Sequence, residues 1–328
     1  MKRAMLLILA IAILISCTQE STRGRTIVIS VASDYSSFPA ASNLYNTLND
    51  QAAFLMQVMA MDENAEIHMF RTEGLRSYYS TAPVFESSLE SIYSSFLADS
   101  GNVIRKKVDR IPFLPELGHT SEFDWTIYDV ARLLASIETR KEDLLIFHYS
   151  GHGDVDGSLV HGEHDGELMN VKPAEIMHYL SDEYRQGIKL LILDSCYSGT
   201  FVGETEISSG ITIDEDEYKL TSPLTSLLSS FSQEGSSSSF YALTASSASQ
   251  LSYDSYNFGK EEEKHFGVFS YHLLSALGFD FKSMRGRRAK RITLFGLYKD
   301  IFDSFNKEML VKETPRVTLN KEDIVLFD

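Results

Sequence analysis

Two stretches of the chain are apolar without a break and end on the same punctuation. Leu144-Leu145-Ile146-Phe147-His148-Tyr149 runs into Ser150-Gly151-His152-Gly153-Asp154, and Leu190-Leu191-Ile192-Leu193 runs into Asp194-Ser195-Cys196-Tyr197-Ser198-Gly199. Unbroken apolar runs of this length fit strands buried on both faces, as in a parallel sheet. Thr26–Val31, Glu66–Phe70 and Phe240–Thr244 read as further strands, by their β-branched and aromatic content. Between them, apolar residues recur at helical spacing. Leu44, Leu48, Ala52, Leu55 and Met59 predict a first helix, and Ile127, Val130, Leu134 and Ile137 predict one before the histidine strand. Ile176, Met177 and Leu180 follow Pro173, which suits a first helical turn. Phe266–Ser270 opens a helix carrying Leu273, Leu274 and Leu277, and Thr293 is placed to cap a last one through Leu297, Ile301 and Phe305. Val317–Leu319 or Ile324–Phe327 would supply the last strand. The alternation of strand and helix predicts an α/β fold with a mostly parallel sheet and helices on both faces.

Chemistry in open α/β sheets sits beyond the carboxyl ends of the strands. His152 and Cys196 would therefore emerge side by side at one sheet edge, as a nucleophile with its base. The thiolate is the attacking species, and His152 can take the thiol proton and return it to a leaving amine. A small buried hydrophobe is the other common fate of a free cysteine; the polar Asp194-Ser195-Cys196-Tyr197-Ser198-Gly199 setting argues against it.

These two phrases resemble the caspase-like cysteine peptidases, and the metacaspase branch most closely. In that family Ser-Gly-His-Gly carries the catalytic histidine and Asp-Ser-Cys-x-Ser-Gly carries the nucleophile. Metacaspases usually have His after the cysteine, where this chain has Tyr197. The resemblance covers roughly residues 26–328 and implies a six-stranded α/β sandwich. Against that pattern, about fifty residues (about 72–120) stand as an insertion, with Phe85, Leu89, Ile92, Phe96 and Leu97 suggesting a helix and Pro112 and Pro115 a loop. By the same resemblance, the backbone N–H groups of Gly153 and Cys196 would bind the oxyanion, and Ser150 and Asp194 would line an acidic pocket for Arg or Lys. Asp194 could instead serve only to hydrogen-bond loop backbone.

The N-terminus changes the picture of where the enzyme works. Lys2 and Arg3 precede the apolar stretch Met5–Ile15, too short to span a bilayer comfortably. Leu14-Ile15-Ser16-Cys17 resembles the bacterial lipobox, in which the cysteine is lipidated; an ordinary secretory signal with a chance cysteine is the plainer alternative. The expected organisation is a signal peptide over 1–16, a tether over 17–25 and one domain over 26–328, exported and lipid-anchored to a bacterial membrane. With Cys17 lipidated, Cys196 is the one remaining thiol of the two cysteines. The net charge of −16 argues against a nucleic-acid surface. Arg285, Arg287, Arg288, Lys290 and Arg291 are the exception, either a solvated loop or a patch for anionic lipid.

The expected function is thus a membrane-anchored cysteine endopeptidase acting on protein or peptide, cleaving after Arg or Lys. A catalytically silent relative that binds a peptide or protein partner is the alternative, and a structural lipoprotein with a vestigial pair is a third. No cofactor is required by this chemistry. His148, His152, His161, His164 and His178 invite a zinc reading, but the spacing of His148 and His152 has no meaning on a strand and no second cysteine accompanies them. Some metacaspases use Ca²⁺, for which Asp165, Glu167 and Glu204 could supply oxygens. The polar linker at about 199–239 is long for a compact domain. Lys219 is its one basic residue, so self-cleavage by such an enzyme would follow Lys219.

Overall fold

The computed structural model describes residues 24–33, 35, 44, 46–73, 76–81, 130, 133–134, 136–164, 167–172, 176, 180, 186–199, 238–247, 249–254, 265–307, 314–317 and 323–328. The expected inserted helix, most of the linker and residues 1–23 lie outside them. The strands are β1 (Thr26–Ser33), β2 (Glu66–Glu73), β3 (Arg76–Thr81), β4 (Leu144–Ser150), β5 (Leu159–His164), β6 (Glu167–Val171), β7 (Gly187–Asp194), β8 (Ser238–Thr244), β9 (Ile292–Thr293), β10 (Arg316–Val317) and β11 (Val325–Phe327). Three helices are delimited, α1 (Thr47–Met61), α2 (Val268–Ala276) and α3 (Leu294–Lys307).

The main sheet runs β10-β8-β7-β4-β1-β2-β3. Its five inner strands are parallel, and β3 and β10 close the two edges antiparallel. The apolar runs are unbroken because alternate residues enter two different cores. Val28, Ile146, Leu190, Ile192 and Leu243 pack with Phe54, Leu55 and Val58 of α1, Phe269 and Leu273 of α2, and Leu297 and Ile301 of α3. Ile27, Ile29, Leu145, Phe147, Leu191 and Leu193 face the other way, against Val130, Leu133, Leu134, Ile176 and Leu180. Thr293 caps α3 as expected, its Oγ1 accepting the Gly296 N–H at 3.2 Å.

Four features differ from the sequence-based expectation. The six expected strands are joined by β3, inside the span read as insertion; its Arg-Ser-Tyr-Tyr-Ser-Thr sequence has β-formers but no apolar alternation, as an edge strand permits. The span 154–170, where no strand is expected, holds the β5–β6 hairpin; the Asp-Gly dipeptide at 165–166 of the sequence is a hairpin signal that was available there. Of the two places for a last strand, Arg316–Val317 joins the main sheet, while Val325–Phe327 pairs with β9 in a separate two-stranded sheet. Gly24 and Arg25, counted with the tether, belong to the body. The Gly24 N–H donates to the Glu142 carbonyl at 3.0 Å, and Arg25 pairs with buried Asp143 at 3.0 Å.

Candidate active site

Strands β4 and β7 pair in parallel with Ser150 opposite Asp194, their last residues. His152 and Cys196 each lie two positions further on, so the paired register carries both side chains over the same edge of the sheet. The Gly151 N–H donates to the Asp194 carbonyl at 3.0 Å and ties the two exits together. Glycine at 153 is needed for close approach. A Cβ there would fall within 3.0 Å of the Cys196 carbonyl oxygen and 3.2 Å from its nitrogen.

The histidine segment is held by two buried phenols. The His152 N–H donates to Tyr35 Oη at 3.0 Å. Tyr149 Oη lies 2.8 Å from the His152 carbonyl and 2.7 Å from that of Val160, within donating distance of both. Tyr35 Oη also donates to the Val160 carbonyl at 2.8 Å. Burial pushes the Tyr35 phenol up to about 12 and Tyr149 well above its ordinary range, so both stay protonated. The Tyr35 ring and the His152 imidazole meet edge to face, their centroids 4.5 Å apart. Beyond His152 the chain bridges Gly153 to Leu159. That bridge uses the N–H groups of Asp154 and Val160. In an antiparallel pair the N–H of the intervening residue points to the opposite side, so that of Gly153 faces away from β5.

The cysteine segment turns sharply. Tyr197 has φ 56, a conformation uncommon for a non-glycine residue, and its N–H donates to the Gln250 carbonyl at 2.8 Å. Cys196 is partly exposed, with Sγ 3.7 Å from the Ser252 carbonyl oxygen. Ser246 Oγ donates to the Ser195 carbonyl at 3.1 Å and supports the turn from below.

Under this edge lies a buried acidic cluster. Asp194 accepts from Ser252 Oγ at 2.8 Å, and from the Ser270 N–H and Oγ at 3.1 and 2.7 Å. Asp50 of α1, a residue the sequence reading did not single out, accepts the Gly267 N–H at 2.9 Å and the Ser150 hydroxyl at 2.9 Å. Ser150 thus serves Asp50 rather than Asp194. Burial raises the Asp194 carboxyl to about 6, with Asp254 adding to the rise. Burial and the charge of Asp194 hold Asp50 well above the carboxylate range. Among the described residues no Lys or Arg pairs with either. Asp50 and Tyr35 escaped the sequence reading because their roles come from contacts with Ser150 and His152, 100 and 117 positions away. The polar run Asn49-Asp50-Gln51 at the start of a largely buried helix was the available signal.

Of the other candidates, His148 is a core residue, stacked on Phe54 at 4.2 Å with Nδ1 2.9 Å from Ser30 Oγ. Burial lowers its imidazole to about 3, so it stays neutral. Cys17, Asp165, His178, Glu204 and Lys219 lie outside the described residues, as do the side chains of His161, His164 and Glu167. Among the described residues no three His, Cys, Asp or Glu are grouped to hold a metal ion, and no helix is long and apolar enough to cross a membrane.

A mostly parallel α/β sheet with a cysteine and a histidine leaving paired strands at one edge defines a class, the caspase-like fold. Residues 126–317 match the family described as the Caspase domain. The chain belongs to that family, whose members are cysteine peptidases. A solved structure of caspase-1 from Spodoptera frugiperda is similar at 10% identity, with 92% of this chain and 90% of that one covered and a TM-score of 0.49. A structure titled pro-sf-caspase-1 aligns at 12% identity over 92% and 89%, with a TM-score of 0.43. The search of curated proteins yields no match.

Proposed function

We propose that this protein is an exported, lipid-anchored cysteine endopeptidase of metacaspase type, with Cys196 as nucleophile, His152 as base and a preference for Arg or Lys before the scissile bond. The observation that carries this reading is the equal offset of His152 and Cys196 from the paired residues Ser150 and Asp194, with Gly153 lying against the Cys196 backbone.

The chemistry follows from that arrangement. His152 takes the Cys196 proton, and the thiolate attacks the peptide carbonyl. The carbonyl π electrons move to oxygen, where the N–H groups of Gly153 and Cys196 receive the negative charge. Collapse breaks the C–N bond as His152 returns the proton to the departing amine, leaving a thioester. Water then attacks, giving up its proton to His152, and releases the acid and the thiol. Tyr35 and Tyr149 keep the His152 backbone still while its ring exchanges protons.

Support for basic specificity comes from Asp50 and Asp194, two buried carboxylates with no cationic partner among the described residues. An Arg or Lys side chain would supply the missing charge, and an acidic one would add to the repulsion. Calcium, self-cleavage after Lys219 and the anchor at Cys17 belong to this reading and rest on sequence alone.

A thiol-directed activity probe tests it. The wild type should label and Cys196→Ala should not. Labelling that survives the substitution removes the nucleophile assignment. A folded wild type that never labels, with or without Ca²⁺, favours the silent, partner-binding alternative.

A further inference from the structure

We propose that the basic loop 282–291 is a docking surface for anionic phospholipid head groups, which turns the anchored enzyme so that its cleft faces away from the bilayer. The inference rests on the lipid-anchor reading above and adds an orientation to it.

The first observation is the charge. Lys282, Arg285, Arg287, Arg288, Lys290 and Arg291 fall within ten positions of a chain whose net charge is −16, and all six are exposed. Among the described residues, Asp280 and Asp328 lie against them. Asp280 takes Arg287 and otherwise accepts the Lys282 and Ser283 N–H groups and the Ser283 hydroxyl. Asp328 lies 3.8 Å from Arg291.

The second observation is that the loop is built, not merely solvated. Asp280 and Arg285 exchange backbone hydrogen bonds. Gln57 of α1 accepts the Arg287 N–H at 3.0 Å and donates to the Arg287 carbonyl at 2.8 Å. Gly286 lies directly on the Met56 carbonyl, where a Cβ would overlap it. Met284 is 5% exposed and packs with Met56, Phe266, Leu274 and Phe279. The apolar side chain points in and the cations point out.

The third observation is position. Helix α1 runs back along the sheet from the cleft end, where Thr47 Oγ1 donates to the Ser33 carbonyl. One turn on, Gln51 reaches the carbonyls of Ser30 and Phe70. Gln57 is six residues further, about 9 Å at the helical rise. That brings it level with Ile27, the second residue of β1, which lies about 10 Å below Ser30 at the strand rise. The basic loop held by Gln57 thus sits at the end of the sheet opposite His152 and Cys196. The chain enters β1 at that same end through Gly24. From Cys17 to Gly24 the reach is at most about 25 Å. A lipid on Cys17 therefore keeps this end of the domain, and its six cations, near the head groups. Each cation at an anionic surface strengthens binding about fivefold.

The full-length lipidated protein is reconstituted on vesicles of phosphatidylcholine alone, or with one third phosphatidylglycerol, and cut with trypsin; cleavage after Arg285 and Arg287 is followed by mass spectrometry. The anionic vesicles should slow those cuts tenfold or more, and 1 M salt should remove the protection, because screening then acts within about 3 Å. Lys282→Ser/Arg288→Ser/Lys290→Ser should reduce the protection to twofold or less, with thiol-probe labelling of Cys196 unchanged. Equal cleavage on both vesicle types overturns the proposal, as does protection by added duplex DNA without protection by anionic vesicles. Sedimentation with phosphatidylcholine vesicles in 1 M salt reads the anchor separately. A chain that fails to sediment but is protected on anionic vesicles loses the anchor and keeps the loop. One that sediments and is cut equally keeps the anchor and loses the loop.

Discussion

Gly153→Ala isolates the geometry on which the proposed catalysis depends. The new Cβ would stand within 3.0 Å of the Cys196 carbonyl oxygen and 3.2 Å from the Cys196 nitrogen, both backbone atoms that cannot rotate away. The histidine segment cannot swing aside either. It is pinned by His152 N–H to Tyr35, Val160 N–H to the His152 carbonyl and Asp154 N–H to the Ser158 carbonyl. Relief therefore separates the two segments, by about 1 Å, and a misplacement of that size costs about a hundredfold in rate. This corresponds to about 2.7 kcal/mol of transition-state stabilisation. The assay is kcat/KM on a fluorogenic peptide ending in Arg, alongside the rate of thiol-probe labelling and thermal unfolding. The loss should fall mainly on kcat. A variant that folds like the wild type and keeps kcat/KM within threefold would refute the claim that Gly153 and Cys196 act as one packed unit around the reacting carbon.

Three further outcomes follow from the same structure. Tyr35→Phe removes the acceptor of the His152 N–H, while Tyr149 still serves the Val160 carbonyl; unfolding measurements should show a loss of about 1–3 kcal/mol, with a larger drop in kcat than change in KM. Asp50 and Asp194 hold their protons to higher pH in the folded than in the unfolded chain, Asp194 from an ordinary 3.8 to about 6. The folded state then binds more protons in that window, so ligand-free stability should fall as pH rises through it. Asp50→Asn should flatten that slope and lower kcat/KM on Arg and Lys peptides at least tenfold, and a pH-stability curve rising across the window would contradict the assignment. Finally, N-terminal sequencing of any fragment produced by the wild type and absent in Cys196→Ala should begin at Leu220; a linker cut elsewhere would count against both the site and the basic specificity.

Much of this protein was legible along the chain. Strands β4 and β7 could be read because both faces are buried, so every position is apolar up to the point where the chain leaves the sheet. That same change from apolar to polar marked His152 and Cys196, and Thr293 announced its helix by a local hydrogen bond. Local periodicity and local capping are short-range physics, and they survive in a one-dimensional reading. Edge strand β3 and the β5–β6 hairpin did not stand out, because strands with an open face or edge need no continuous apolar run. The supports of the site were invisible for another reason. Tyr35 meets His152, Asp50 meets Ser150, and Asp194 meets Ser270 only once distant segments pack. Sequence thus determined which groups could do the chemistry and at which end of which strands they stand. The tertiary structure decided what holds them, because burial and long-range hydrogen bonding act between segments whose separation along the chain carries no signal.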